Sequence, residues 1–364
     1  MTIDGAGAPR SGEGATKGEA RFDLVHSDTI RFFPELVKDL GGDSEALLRK
    51  AGVDPKAVLE RGSILEYRAV IELFEIAATE LRCADFGLRL AARQGGTQVM
   101  GPIGVAMKNS KTLGQALGYC AKQIQAYCLA TRVRFVPDRT NHKLFIGLEI
   151  LLDGVADRAQ IVEHGLLLAS LNVIDITGAA ARVRQVSFCH PPLSSRKIYQ
   201  DAFGCGVLFG AVADGIVLEE SDLLCPVIDP DEQLYEMATS FIASHYPPNA
   251  PPMHAQVRAL INRYLGGEDC TNERVAADLW IHPRTLQRRL RSEGKSFESI
   301  KGEVRRELLM RYLLHPDMSL GNVAEKLGYA DQSVLTRSCY RWFCVSPRKL
   351  REKVLAGPLD VLGR

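Results

Sequence analysis

Residues 272–351 carry one short design twice, and few folds are open to a chain with that repeat. The first copy runs Val275-Ala276-Ala277-Asp278-Leu279, a bend, then Pro283-Arg284-Thr285-Leu286-Gln287-Arg288-Arg289-Leu290. The second runs Val323-Ala324-Glu325-Lys326-Leu327-Gly328-Tyr329, a bend, then Gln332-Ser333-Val334-Leu335-Thr336-Arg337. Each reads as a short helix with a small residue turned inward, a tight turn, and a second helix that is polar on one face. That is the pattern of a helix-turn-helix, over about 272–293 and 320–341, and two in tandem point to a protein that reads double-stranded DNA.

The spacing divides each second helix into a packing face and a reading face. In the first copy, Leu286 and Leu290 lie four apart and can join Leu279 and Ile281 in a small core. Arg284, Gln287, Arg288 and Arg291 share the opposite face at i, i+3, i+4 and i+7. In the second copy, Leu335 and Cys339 face inward while Gln332, Ser333, Thr336 and Arg337 form the outward stripe. Arg matches guanine O6/N7 and Gln matches adenine N6/N7 with two coplanar hydrogen bonds, a discrimination of roughly 1–3 kcal/mol per pair. Ala276 and Ala324 allow close helix crossing, and Pro283 suits a first helical turn, where its missing N–H costs nothing. Between the copies, Ile300, Val304, Leu308, Leu309, Tyr312 and Leu313 recur at helical spacing. A helix over 297–314, about 18 residues, is about 27 Å long. That length suits two recognition helices about one DNA turn, roughly 34 Å, apart. His315-Pro316-Asp317 ends it,.

These residues resemble the AraC/XylS family of transcription regulators. His282–Gly294 is similar to that family's first recognition helix. Leu327–Arg351 is similar to its second motif, through Leu327-Gly328-Tyr329, Arg337, Arg341-Trp342-Phe343 and Val345-Ser346-Pro347. Upstream, Asp85-Phe86-Gly87-Leu88-Arg89-Leu90-Ala91 and Met100-Gly101-Pro102-Ile103-Gly104 resemble the subgroup with an arabinose-binding-type N-terminal domain, the OruR- and VirS-type regulators. The resemblance implies base contacts by Arg284, Gln287, Arg288, Gln332, Ser333, Thr336 and Arg337, the residues that the periodicity selects independently. It also implies an unknown small-molecule effector, RNA polymerase as a partner, and activation more often than repression. The chain departs from the family pattern at four positions. Trp280 stands where Gly is usual in the first turn, and His282 where a Ser caps the helix. Cys339 replaces a packed aromatic, and Cys344 replaces the Gly after Trp-Phe. A non-Gly residue in such a turn carries strain.

With 364 residues, two domains are expected,. Charge separates them. Residues 254–353 hold 19 Lys and Arg against 12 Asp and Glu, and the remainder holds 26 against 32. A basic C-terminal domain on an acidic body suits a DNA partner for one part only. Residues 1–20 are Gly-, Ala- and Ser-rich and read as a disordered tail, with no signal-peptide core. Residues 21–245 are expected to form an N-terminal effector-binding or dimerisation domain, and a homodimer is one assembly it allows. Helical patterns run from Thr29 to Tyr127, with Thr112-Leu113-Gly114-Gln115 as a capping box. The period then changes to a β-hairpin over 131–150, a helix over 158–176, strands near 186–189, 207–209 and 216–219, a short helix at 195–203, and a helix over 231–243. The expected fold class is therefore an α+β N-terminal domain, with a helical start and a small mixed sheet, followed by an all-α domain with two tandem helix-turn-helix motifs. Residues 246–253, with four prolines in a run of six, read as a linker to a DNA-binding domain at 254–356 and a tail at 357–364,.

Little in the sequence points to other chemistry. Nine cysteines without a Cys-x-x-Cys pair favour a reducing cytoplasm,. No apolar run reaches the roughly 18–20 residues of a membrane span. Cys189-His190 lacks a second ligand cluster, His164 reads as a satisfied core histidine, and Gly101–Gly104 lacks the Lys-Ser/Thr of a phosphate loop,. Glu80, Asp85 and Glu163 read as solvated carboxylates. No catalytic, metal or cofactor site is expected, and an enzyme with a catalytic N-terminal domain is the alternative.

Overall fold

The first strand escapes the helical pattern. Leu24–His26 (β1) pairs antiparallel with Ile64–Glu66 (β2), and three-residue strands are too short to show an alternation. The structure, a computed structural model, describes residues 22–59, 62–155, 157–245, 251–267 and 270–355. The expected tails at 1–20 and 357–364 and the linker residues 246–250 lie outside these.

Helices Phe33–Asp39 (α1), Ser44–Lys50 (α2), Pro55–Leu59 (α3), Tyr67–Glu80 (α4), Phe86–Gln94 (α5), Gly101–Lys108 (α6) and Leu113–Tyr127 (α7) make the helical start. Only half of the expected capping box forms. Thr112 Oγ1 accepts the Gln115 N–H at 3.2 Å, but the Gln115 side-chain carbonyl takes the Lys111 N–H at 2.8 Å. The hairpin follows as Thr131–Asp138 (β3) and Lys143–Ile150 (β4), then helix Ala159–Thr177 (α8). Gln185–Phe188 (β5), Arg196–Phe203 (α9), Gly206–Phe209 (β6) and Gly215–Glu219 (β7) complete a five-stranded sheet, ordered β3-β4-β7-β5-β6. It is mixed: β5 and β6 are parallel and joined by α9, while the other pairs are antiparallel,.

α8 is the spine of this domain. Its buried residues include Ile161, Val162, Leu166, Leu167, Val173 and Ile176, and it contacts α4, α5 and the sheet. A Cβ on Gly87 of α5 would fall 2.1 Å from the Gln160 carbonyl, so only glycine allows the two helices this approach. The Gln160 side chain fixes the crossing, accepting from Gly87 N at 2.7 Å and donating to Ala84 O at 2.8 Å.

Two of the expected solvated carboxylates are buried. Glu163, on the inward face of α8, is 0% exposed and accepts a hydrogen bond from the Tyr199 hydroxyl at 2.5 Å. Burial pushes its carboxyl up to about 8. Asp85 is buried and paired with Arg89 at 2.9 Å. Tyr199 reaches Glu163 through the fold, whereas Arg89 is the i+4 neighbour of Asp85 on α5. Glu80 stays exposed and pairs with Lys50. His164 is a satisfied core residue, with Nε2 2.7 Å from Gln94 Oε1 and the ring held neutral by burial.

After Glu232–His245 (α10) comes the all-α part: Met253–Tyr264 (α11), Asn272–Asp278 (α12), Pro283–Ser292 (α13), Phe297–Leu313 (α14), Leu320–Lys326 (α15), Gln332–Phe343 (α16) and Pro347–Leu355 (α17). Met253, expected in the linker, is the first residue of α11. Two small cores form here, one around Val257, Val275, Leu286, Leu290 and Ile300, the other around Leu309, Val323, Leu327, Leu335 and Cys339. Leu265 and Leu308 pack against both.

The all-α part meets the α+β part at a built joint. Ala255 and Ala259 of α11 pack into the N-terminal core. Between them Arg258, 3% exposed, pairs with Asp153 at 3.0 Å, Glu303 at 3.3 Å and Glu307. Glu307 also accepts the Gly154 N–H at 3.2 Å. Lys295, 2.9 Å from Glu303 and 4.0 Å from Asp153, is the second cation of this cluster, so the buried guanidinium is paired, as a buried ion requires.

Candidate nucleic-acid interface and internal cavity

Each recognition helix is held by its own cap and core. α13 starts at Pro283, and the His282 ring does the work of the expected serine: its Nδ1 accepts the Arg284 N–H at 3.2 Å. α16 starts behind Asp331, whose carboxylate accepts the Ser333 and Val334 N–H groups at 2.7 and 3.0 Å. Those donors hold the Asp331 carboxyl below the usual range. Leu286, Leu290, Leu335 and Cys339 are fully buried, so Cys339 fills the place of the missing aromatic.

The opposite faces are open. Arg284, Gln287, Arg288 and Arg291 are exposed on α13, and Gln332, Ser333 and Arg337 on α16. Thr336 is half-buried, and its hydroxyl donates to Gln332 O at 2.9 Å, leaving the oxygen as acceptor. Among the described residues, the guanidinium groups of Arg284, Arg288, Arg289, Arg291 and Arg337 make no ion pair. Unpaired, exposed guanidiniums on two helix faces are suited to phosphates and base edges. The structure brings the seven sequence-selected residues onto two helices, four on α16 and three on α13, joined by α14.

Both turns use a left-handed residue. Trp280 has φ 56° and Gly328 has φ 63° at equivalent places after Leu279 and Leu327. The amides that follow close the turns identically, Ile281 N to Ala276 O at 3.0 Å and Tyr329 N to Ala324 O at 2.9 Å,. Cys344 has φ 56° as well. All three positions therefore have the conformation that favours glycine, and two of them lack it.

Sequence reasoning missed the residue that holds the second unit. Arg305 of α14 donates Nε to Leu327 O at 2.8 Å and Nη2 to Gly328 O at 2.7 Å, with its guanidinium 4.3 Å over the Tyr329 ring. It satisfies the orphan carbonyls at the end of α15. Gly266 packs against the same end, where a Cβ would fall 2.9 Å from Lys326 O. Nothing local marks Arg305, because its partners lie 22 and 23 residues away. Glu293 went unnoticed for the same reason: its carboxylate accepts the Met253 and His254 N–H groups at 2.8 Å and so caps α11.

The N-terminal domain holds a cavity of about 170 Å³ between α7, α8 and the β3–β4 hairpin. Its lining is apolar apart from groups such as Thr29, Tyr127, His164 and Asn172, and no Asp, Glu, Lys or Arg of the described residues takes part. Among the described residues no cluster suited to a metal ion occurs, and the Cys189 thiol is pushed up by burial.

An α+β domain with an internal cavity, jointed to two tandem helix-turn-helix units, is the architecture of a DNA-binding regulator with a ligand-binding domain. Residues 41–227 match the arabinose-binding N-terminal domain of AraC transcription regulators, and residues 275–353 match a helix-turn-helix domain. The chain is 31% identical over 328 residues to the HTH-type transcriptional regulator VirS of Mycobacterium tuberculosis, covering 90% of this chain and 96% of that one. It is 23% identical to the ornithine utilization regulator of Pseudomonas aeruginosa, over 87% and 93% of the two chains. The solved structure of the transcriptional regulator CdpR from Pseudomonas aeruginosa matches with a TM-score of 0.40 and 18% identity, over 84% and 96%. The chain belongs to the AraC family of transcription regulators. One described helix, α8, is long and apolar enough to cross a membrane, and 67% of its apolar window is buried inside the fold.

Proposed function

We propose that α13 and α16 enter successive major-groove segments on one face of the duplex, with Arg284, Gln287 and Arg288 reading one and Gln332, Ser333, Thr336 and Arg337 the other. The observation that carries this is the pair of exposed, unpaired polar faces on two helices whose opposite faces are buried. The 17 residues of α14 are about 26 Å long, which with the flanking units spans roughly one DNA turn of 34 Å. We divide the chain accordingly into a sensing part, 21–245, and a DNA-binding part, 254–356, with Met253 joining the second as the first residue of α11. The cavity is the site of a small-molecule effector. The regulator acts in the cytoplasm, as an activator in contact with RNA polymerase. A homodimer is supported by α10, which exposes Leu234, Met237 and Phe241 along one stripe, the kind of apolar patch that marks an interface. The relatives named above are regulators and lend no support to a catalytic N-terminal domain.

Footprinting the full-length protein upstream of its own and neighbouring genes, at fixed salt, tests the docking. Protection over about two helical turns per chain is expected. On that site, Arg288→Ala and Arg337→Ala should each cost about 1–3 kcal/mol of binding and relax specificity at one base pair. Unchanged affinity in both variants, at equal salt, rules the docking out.

A further inference from the structure

We propose that the cavity takes a small, uncharged, mainly apolar molecule carrying a single hydroxyl or N–H donor, of the class of a phenol or cyclic alcohol, and neither a sugar nor an amino acid. This rests on the sensing role proposed above and names the chemistry of its ligand. Size comes first. A cavity of about 170 Å³ is close to the roughly 150 Å³ engineered apolar cavity that stays dry and binds benzene.

Charge comes next. None of the described lining residues is an Asp, Glu, Lys or Arg. His164 is held neutral, with a pKa lowered to about 3, and its Nε2 is engaged by Gln94. An ionised ligand would be buried without a counter-charge, which proteins avoid because desolvation of a lone ion is so costly. An amino acid such as ornithine, with several charges, does not fit.

The polar groups then limit the ligand to few hydrogen bonds. The Tyr127 hydroxyl donates to Val99 O at 3.1 Å and accepts from Thr29 at 3.2 Å. Asn172, 4% exposed, donates its amide N–H to the Met100 sulfur at 3.3 Å. Its Oδ1 has no partner, and it is the one lining side-chain atom among the described residues that is buried and orphaned. A buried acceptor without a donor is destabilising, and a ligand hydroxyl or N–H at that point removes the defect. An arabinose-like sugar brings four or more hydroxyls, of which one finds this acceptor and most of the others lose water without replacement.

The experiment is calorimetric or saturation-transfer NMR titration of the full-length protein with phenol, cyclohexanol, toluene, L-arabinose and L-ornithine. Phenol and cyclohexanol should bind, toluene about five- to tenfold more weakly for want of the donor, and the sugar and amino acid not measurably. Asn172→Leu should bind toluene and lose the preference for phenol. The wild-type panel decides the matter even if that variant does not fold. Displacement of phenol by arabinose or ornithine, or phenol binding no better than toluene, overturns the assignment, as does failure of every compound to bind. Sensing is read separately, from the change in affinity for the footprinted DNA. Phenol bound in the cavity with DNA affinity unchanged upholds the ligand class and refutes the sensing role.

Discussion

Replacing Trp280 by glycine should stabilise the first helix-turn-helix, a prediction the protein's own second copy makes quantitative. Trp280 and Gly328 occupy the same place after α12 and α15, with φ of 56° and 63°. A residue with a Cβ in the left-handed region carries about 1–2 kcal/mol of strain. Against that, a new glycine enlarges the entropy of the unfolded chain, at a cost of about 0.4–1 kcal/mol. The Trp280 side chain offsets little by packing, since the residue is 94% exposed. The balance is a net gain of about 0.5–1 kcal/mol for Trp280→Gly. The full chain has more than one core, so its melting need not be two-state. The right observable is amide hydrogen exchange within α12 and α13, which reads local opening. Exchange should slow about two- to fivefold, the equivalent of that free energy. Trp280→Ala, which keeps the strain and deletes the ring, should leave it nearly unchanged. The reciprocal Gly328→Ala should speed exchange in α15 and α16 by more than tenfold, because the new Cβ also comes 3.2 Å from Gly266 N. If Trp280→Gly exchanges faster than the parent, the ring makes stabilising contacts and the strain argument fails.

Two further perturbations test the interior. Glu163 has its carboxyl raised by burial to about 8, so the folded state holds a proton that the unfolded state releases above about 4.5; its stability contribution is lost as pH rises from about 4.5 through 8. Glu163→Gln should flatten that slope in melting curves and gain a few kcal/mol at most at pH 8, at about 1.4 kcal/mol per pKa unit; an unaltered pH profile means the carboxyl is not raised. Arg258→Ala leaves Asp153, Glu303 and Glu307 with Lys295, 2.9 Å from Glu303 and 4.0 Å from Asp153, as their remaining counter-charge, and should cost about 3 kcal/mol at the joint, the low end for a broken buried pair. Limited proteolysis between the two parts should then accelerate, and equal cleavage rates in the parent and the variant would show that the joint is not held by this cluster.

The readable parts of this fold are the periodic ones. The leucines of α13 and the alternation across β3 and β4 report burial one residue at a time, so both helix-turn-helix units and the hairpin were legible in the residues alone. Positive φ at Trp280 and Cys344 was legible as well, through departure from a family pattern that has glycine there. What escaped depends on partners far along the chain. Arg305 looks like any cation on a helix face until the carbonyls of α15 arrive beside it. Glu163 looks like a surface acid until Tyr199, 36 residues on, encloses it, whereas Asp85 pairs with Arg89 only four residues away and escaped for want of any sign of its burial. The cavity is less legible still, because an apolar residue that lines a void and one that fills a core have the same pattern.

The cavity and the joint meet on one strand. Ile146, Gly147 and Leu148 of β4 line the cavity, and β4 ends at Ile150, three residues before Asp153. Asp153 and Gly154 are the N-terminal side of the joint, facing Arg258 of α11 and Glu307 of α14. α14 in turn supports both recognition units, through Ile300 and Val304 in one core, Leu309 and Leu313 in the other, and Arg305 at the second turn. A ligand shifts DNA affinity only by preferring one arrangement of such a chain of contacts over another. The joint is the place in that chain where charged groups of both parts meet, Arg258 with Asp153, Glu303 and Glu307. If a ligand in the cavity shifts β4 and its effect passes through the Asp153–Arg258 contact, the coupling to DNA affinity should vanish in Arg258→Ala while ligand binding itself persists, and coupling retained in that variant refutes this route.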